Sequence, residues 1–135
     1  RKDVTLVRRG IARIADLMEA GVNVCAGQDD LMNMFYPFGQ MDPLEVANIA
    51  CHAGHLTSPK QIQAAFDMPR YHAAKNIGLT NYGVYEGADA NLILMKAGSA
   101  VEALRLKPER MFVIRQGEIL AQNEINKSLS SSVPV

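Results

Sequence analysis

The chain has 135 residues, 48% of them hydrophobic, and its 14 basic residues balance 14 acidic ones. This composition predicts a folded globular protein with a substantial core and excludes a disordered chain. The zero formal net charge argues against nucleic-acid and anionic-membrane partners, which bind clustered Lys and Arg. No apolar run approaches the roughly 20 residues that cross a bilayer.

The two cysteines indicate the redox environment of the chain. Cys25 lies in a strand-like segment and Cys51 in a helix-like one, which predicts buried free thiols in a cytoplasmic protein. Because the chain begins with Arg1 rather than Met, we also expect it to start partway into a longer gene product.

The N-terminal part of the chain predicts a helix, a strand and an unusual loop. Apolar residues near helical spacing predict a helix over 6–20, which Gly21 closes. The β-branched run at 22–27 then predicts a buried strand, and helix, glycine and buried strand together are typical of a repeating β/α unit. Residues 31–41 are rich in Met and aromatic side chains, so we expect this loop to cover something.

Proline-led helices are predicted next. Asp42 is a candidate N-cap, with Glu45 completing a capping box, and Ser58 with Gln61 repeats the same pattern. Pro69 predicts the start of a further helix, because proline is favoured in the first turn.

The character of the sequence changes after Gly78. A turn-rich segment leads into a predicted strand over 91–95, a short helix capped by Ser99, and two strands separated by the hairpin turn Gln116-Gly117. We therefore predict three regions: 1–78, 79–122 and a flexible tail over 123–135.

Adjacent carboxylates, Asp29 and Asp30, follow the predicted strand at 22–27. In parallel α/β proteins functional groups lie at the C-terminal ends of strands, which suits a metal ligand or an acid-base residue. A bound divalent cation would relieve the repulsion between the two acids. The same pair also fits a turn whose side chains are both solvated, and position alone leaves both interpretations open.

A second candidate metal site involves histidines of the helix that starts near residue 43. His52 and His55 share one helix face with Cys51, and this geometry can hold zinc. The same helix carries several apolar residues for packing, so ordinary hydrogen-bonded histidines are the simpler interpretation. His72, in the middle of the predicted helix that starts at Pro69, is interpreted in the same way.

Four motifs resemble the cytosine deaminase branch of the amidohydrolase superfamily. They are GVNVCAGQDD, YPFG, AAKNIGL and YGVYEGADANLILM, and the similarity extends over about 8–117. The resemblance implies an α/β fold, namely the C-terminal segment of a metal-dependent (β/α)8 TIM-barrel hydrolase plus part of a small β-sandwich domain. Residues 1–78 would be the end of the barrel, including its eighth strand, and 79–122 part of the sandwich.

The resemblance also assigns roles to residues of the site. Asp29 matches the Asp that binds the metal and moves a proton for the attacking water. Asp30 matches the acid that faces the substrate ring, and Phe35 the aromatic residue that packs on it. Gln28 stands where His is familiar, which leaves the ring open among cytosine, isoguanine, creatinine and triazine types.

The implied activity is hydrolytic deamination of a nucleobase-like ring, with cytosine giving uracil and ammonia, and with one divalent metal ion, zinc or iron. The family's other metal ligands match nothing in these residues, so we expect the chain alone to be inactive and to bind metal weakly or not at all. A non-enzymatic oligomerisation or binding module of the same fold is the alternative. Because an isolated barrel strand has open edges, we expect a homo-oligomer or binding to the missing N-terminal barrel portion.

Overall fold

A computed structural model of the chain describes residues 10–34, 36–124 and 126. Its helical elements in chain order are α1 (Ile14–Glu19), α2 (Pro43–Ala53), α3 (Pro59–Asp67), a π-helical turn (Met68–His72), α4 (Ala73–Asn76) and α5 (Ala100–Leu106). The strands are β1 (Leu92–Met95), β2 (Arg110–Arg115) and β3 (Glu118–Gln122). The fold is therefore mixed α/β, and most of the predicted tail lies outside the described residues.

Helix α1 is shorter than the predicted helix over 6–20. Residues 10–13 are not helical, and 1–9 lie outside the described part of the chain. Arg13 occupies the N-cap position without a capping side-chain hydrogen bond, so no side chain there favours a fixed helix start. Gly21 ends the helix as predicted, with φ of +80°.

The prediction of a buried strand at 22–27 is wrong for the described residues. The segment pairs with no strand among them, and Cys25 is exposed rather than buried. A strand needs a neighbouring strand to accept its backbone hydrogen bonds, and here helical residues supply some of those partners. The Ala26 N–H, for example, points to the carbonyl oxygen of Met68 at 3.5 Å.

Helix α2 begins as the sequence predicts but without a complete capping box. The Asp42 side chain accepts a hydrogen bond from the Leu44 N–H at 2.9 Å. The Glu45 carboxylate accepts instead from the Gln40 N–H, at 3.2 Å, so this acid ties the preceding loop to the helix.

Helix α3 has the complete capping box. The Ser58 hydroxyl accepts from the Gln61 N–H at 3.3 Å, and the Gln61 side chain accepts from the Ser58 N–H at 3.1 Å.

Pro69 does not start a separate helix, contrary to the prediction. Helix α3 runs through the π-helical turn directly into α4. Proline has no N–H and its ring presses on the carbonyl of the preceding turn, and a widened π turn accommodates both effects. The Met68 carbonyl accepts from the Ala73 N–H, five residues on, within this turn. Gly78 then closes the helical stretch with φ of +75°.

The three strands form an antiparallel sheet in the order β1-β2-β3. Val113 lies opposite Ile93 of β1 and Ala121 of β3, which places it on the central strand. The hairpin between β2 and β3 turns at Gln116 and Gly117, whose φ values of 51° and 82° suit the predicted two-residue turn.

Two clusters of buried residues hold the elements together. Ile14, Ala50, Leu56, Ala65 and Met68 join α1, α2, α3 and the π turn in one cluster. The second cluster joins α2 and α5 through Leu44, Ala47 and Leu104, with Met95 of β1 packed against it. Burying a leucine such as Leu104 contributes about 1.5–3 kcal/mol. None of the described helices is both long enough and apolar enough to span a membrane.

Candidate active site

A cavity of about 260 Å³ lies where the segment after residue 26 meets helix α2. It is lined by Gly27, Gln28, Asp29, Asp30, Tyr36, Val46 and Ile49. The structure thus brings three of the predicted site residues to one wall. Phe35, the predicted ring-stacking residue, lies outside the described residues.

The two adjacent acids differ in what they contact. The Asp30 carboxylate accepts a hydrogen bond from Nδ2 of Asn33, which holds one of its oxygens in the loop. Asp29 is exposed and forms no hydrogen bond or ion pair with any described residue. Asp29 is therefore the acid of the pair whose two carboxylate oxygens both lack a partner among the described residues.

The side-chain amide of Gln28 has a hydrogen-bond partner at its nitrogen and, among the described residues, none at its oxygen. Its Nε2 donates to the backbone carbonyl of Asp30 at 3.0 Å. Its Oε1 is buried and has no hydrogen-bond partner among the described residues. An unpaired buried acceptor costs about 1–3 kcal/mol.

Residues on either side of position 35, at 31–34 and 36–39, shape the cavity wall. The Asn33 side chain accepts from the Tyr36 N–H at 2.8 Å, and the Asn33 N–H donates to the Tyr36 carbonyl at 3.3 Å. A Cβ atom on Gly39 would lie 2.2 Å from the Leu31 carbonyl oxygen and 2.8 Å from Nε2 of Gln28. Only glycine therefore allows the loop to close onto Gln28 in this way.

Tyr36 is a cavity residue that the sequence reasoning missed. Its hydroxyl is buried, and the Glu45 carboxylate is close to it. Burial first, and then the nearby Glu45 carboxylate, raise the pKa of the Tyr36 phenol above its usual value of 10.0. The sequence did contain a signal for Tyr36. It lies in the YPFG motif, directly after Phe35, the aromatic residue that the resemblance places on the substrate ring.

The described residues can supply one side-chain ligand to a metal ion. Among the described residues no three His, Cys, Asp or Glu side chains come together as a metal-binding group. The candidate set Cys51, His52 and His55 does not form such a group, and both histidines are exposed. Protein metal sites usually need three or more protein ligands, so Asp29 can supply one ligand while the others come from elsewhere.

A larger cavity, of about 840 Å³, opens between helix α2, the π turn and strands β1 and β2. It contains none of the predicted site residues. Asp42 and Arg110, which both line it, are already paired with each other.

The family of the chain follows from comparison with known proteins. The model of the amidohydrolase family matches residues 5–126, so the chain belongs to the amidohydrolase family. It is similar in structure to 5-methylcytosine deaminase from Klebsiella pneumoniae, with 31% identity and a TM-score of 0.85 over 93% of this chain and 31% of that one.

Two curated relatives match 83% of this chain. N-isopropylammelide isopropyl amidohydrolase from Pseudomonas sp. (strain ADP) is 26% identical over 113 residues, and this chain covers 28% of it. Pterin deaminase from Rhizobium rhizogenes (strain K84 / ATCC BAA-868) is 28% identical over 113 residues, with 25% of its length covered. The chain thus spans less than a third of each of these proteins.

Proposed function

We propose that the full-length protein is a metal-dependent aminohydrolase of a nucleobase-like ring, with cytosine deamination as the reference reaction. This chain would be its C-terminal part, comprising the end of a (β/α)8 barrel and part of a β-sandwich, and the segment at 22–27 would become a barrel strand only with the partner strands of the full-length protein. The observation that carries the proposal is the exposed, unpaired Asp29 carboxylate on a cavity wall in a chain of the amidohydrolase family. The deaminase and amidohydrolase names of its relatives support a reaction at a C–N bond.

The residues of this chain have separate roles in the proposed reaction. Asp29 would supply one ligand to a divalent ion, and such an ion would supply a water acidic enough to act as a nucleophile near neutral pH. Water adds to the ring carbon that bears the amino group, and the Asp29 carboxylate accepts the proton released by that water. Asp29 then delivers the proton to the leaving nitrogen as the C–N bond breaks, which gives ammonia and a ring carbonyl.

Asp30 and Gln28 would hold the ring while this exchange takes place. The Asp30 carboxylate, oriented by Asn33, would accept a hydrogen bond from a ring N–H. The loop over 31–39, with Phe35 and Tyr36, would cover the ring and keep bulk water away, which strengthens the electrostatic interactions of the site.

The proposal is tested by ammonia release from cytosine by the full-length protein reconstituted with zinc or iron. Asp29→Asn should lower kcat by about 10²-fold to 10⁴-fold, the range for a lost general acid-base group. Asp16→Asn, on the exposed face of α1, is the matched control and should leave kcat unchanged. Full activity in Asp29→Asn would contradict the assignment, as would ammonia release by the 135-residue chain alone.

A further inference from the structure

Three consecutive residues, 23–25, are bound by one helical stretch later in the chain. The two N–H donors of the Asn23 side chain reach the His72 carbonyl at 3.0 Å and Oδ1 of Asn76 at 2.6 Å. Nδ1 of His72 lies 2.8 Å from the carbonyl oxygen of Val24. Nδ2 of Asn76 donates to Sγ of Cys25, also at 2.8 Å. The π turn and α4 thus hold this segment through polar contacts.

Asn23 is the central member of this set of hydrogen bonds. It contacts both partner residues, His72 and Asn76, whereas Val24 and Cys25 each contact one of them. The Asn23 side chain is also half-buried, so water is a poor substitute for either bond. Loss of this one amide therefore removes two of the contacts at once.

The position of the Asp29 carboxylate depends on the chain that flanks it. Asp29 forms no hydrogen bond or ion pair with any described residue. On its C-terminal side, Asn33 holds the Asp30 carboxylate. On its N-terminal side, the nearest backbone hydrogen bond within the described residues joins the Ala26 N–H to the Met68 carbonyl, and at 3.5 Å it is weak. The stronger contacts at 23–25 therefore fix the N-terminal approach to Asp29.

We infer that Asn23 is a positioning residue for the Asp29 carboxylate. The inference rests on the proposed function, in which Asp29 moves the proton. An extended chain advances only about 3.3–3.6 Å per residue, so a shift at 23–25 reaches Asp29 within a few residues. Because a misplacement of about 1 Å can cost about 10²-fold in rate, Asn23 controls the reaction without touching the ring.

Asn23→Leu tests this role because leucine has a similar size and no donor. In the full-length protein reconstituted with zinc, kcat for ammonia release from cytosine should fall roughly 10-fold to 100-fold. KM should change by less than about twofold, since other residues bind the ring. Zinc affinity, measured by competition with a chelator, should fall by about tenfold, because Asp29 would supply one metal ligand.

Asn48 of α2 provides a matched control. It is also a half-buried asparagine that donates to a distant main-chain carbonyl, that of Leu104, at 3.2 Å. Asn48→Leu should lower the urea midpoint about as much as Asn23→Leu does, since each removes a side-chain donor from a carbonyl. It should leave kcat, KM and zinc affinity unchanged. The comparison separates positioning of Asp29 from a general loss of stability.

Asn76→Leu provides a second, milder variant. It removes one acceptor of Asn23 and the donor to Cys25, while the bond from Asn23 to the His72 carbonyl stays. We expect a smaller loss in kcat than in Asn23→Leu. The double variant should lose less than the product of the two single losses, because both changes remove the same hydrogen bond. If Asn23→Leu does not fold, a loss of kcat in Asn76→Leu supports the inference and an unchanged kcat overturns it.

The outcomes distinguish the inference from the proposed function. Unchanged kcat and zinc affinity in Asn23→Leu, or equal losses in Asn23→Leu and Asn48→Leu, would overturn the inference. The proposed function then stands as long as Asp29→Asn lowers kcat. If Asp29→Asn changes neither ammonia release nor zinc affinity, the proposed function fails and the inference fails with it.

Discussion

Nδ1 of His72 lies 2.8 Å from the carbonyl oxygen of Val24, 48 residues earlier in the chain. The neighbouring Asn23 side chain donates to the His72 carbonyl at 3.0 Å and to Oδ1 of Asn76 at 2.6 Å. Nδ2 of Asn76 in turn donates to Sγ of Cys25 at 2.8 Å. Polar groups of the π turn and α4 therefore hold the segment that leads to the acids of the site.

Loss of the His72 contact should loosen this segment. His72→Ala leaves the half-buried Val24 carbonyl without its partner, and we expect a loss of about 1 kcal/mol in the free energy of unfolding. His72→Asn should recover part of that loss, because its side-chain N–H can reach toward the same carbonyl. Urea unfolding measures the stability, and hydrogen exchange at Ala26 reports on the segment.

The exposed His52 of α2 provides the control for this experiment. His52→Ala should change stability by less than about 0.5 kcal/mol, as surface substitutions usually do. Equal effects of His52→Ala and His72→Ala would show that the Val24 contact has no special role.

Gly39 should tolerate no side chain. In Gly39→Ala the new Cβ would meet the Leu31 carbonyl at 2.2 Å, so the loop must shift away from Gln28. We expect a loss of about 1–3 kcal/mol in stability, typical of overpacking. Gly10→Ala is the control, because a Cβ there has no atom within 4 Å. A crystal structure of Gly39→Ala with an unmoved loop would refute the steric argument.

The features that the sequence predicted well are set by neighbours in the chain. Ser58 and Ser99 cap helices through side-chain contacts three residues away, and Gln116-Gly117 forms a two-residue turn. The segment at 22–27 was predicted wrongly because strand formation depends on partner strands, which the described residues do not provide. Pro69 was mispredicted because a π turn accommodates the proline and keeps the helix continuous.

In the site, too, features set by neighbours in the chain were predictable, and features set by the folded loop were not. Gln28, Asp29 and Asp30 are consecutive, so the sequence already places them together at the end of one segment. Asp30 and Asp29 differ because the Asn33 side chain donates a hydrogen bond to Asp30 alone of the two acids. Residue types do not predict that contact. The position of Tyr36 depends on the close approach of Gly39, which is a property of the folded loop.

Asp42 links helix α2 to the sheet, and its two roles can be separated. Its carboxylate caps α2 and pairs with the half-buried Arg110 of β2. Asp42→Asn should keep the cap and lose the ion pair, at a cost of up to about 1 kcal/mol. Asp42→Ala should lose about 1 kcal/mol more, because the cap is removed as well. Thermal and urea unfolding measure both variants.

An exposed ion pair is the reference for Asp42. Asp16 pairs with Arg13 on the surface of α1, and Asp16→Asn should change stability very little. If Asp42→Asn and Asp42→Ala are equally stable, the capping contribution is negligible and the assignment of two roles is wrong.

The two cysteines should differ in reactivity and in their effect at high pH. Burial raises the pKa of Cys51 above its ordinary value of 9.0, whereas Cys25 is exposed. At pH 8 iodoacetamide should therefore modify Cys25 several-fold faster than Cys51, because the thiolate is the reacting species. Mass spectrometry of digested protein measures both rates, and faster modification of Cys51 would contradict the structure.

The same pKa shift sets the direction of a pH effect on stability. A raised folded-state pKa means that the neutral Cys51 thiol contributes stability below about pH 9, which is lost as pH rises through the folded-state pKa. Unfolding measured between pH 7 and pH 11 should show declining stability at the alkaline end. Cys51→Ala should flatten that decline.

We expect the isolated chain to self-associate through the segment at 22–27. No described strand pairs with it, and open backbone groups beside apolar side chains promote association between chains. Val22→Lys should weaken association, because a lysine on an open edge opposes pairing. Val101→Lys on α5 is the matched control, since the two valines are 49% and 47% exposed. Sedimentation velocity over a range of concentrations measures the effect. A single monomeric species at every concentration would contradict this prediction, and equal effects of the two lysines would place the contact elsewhere.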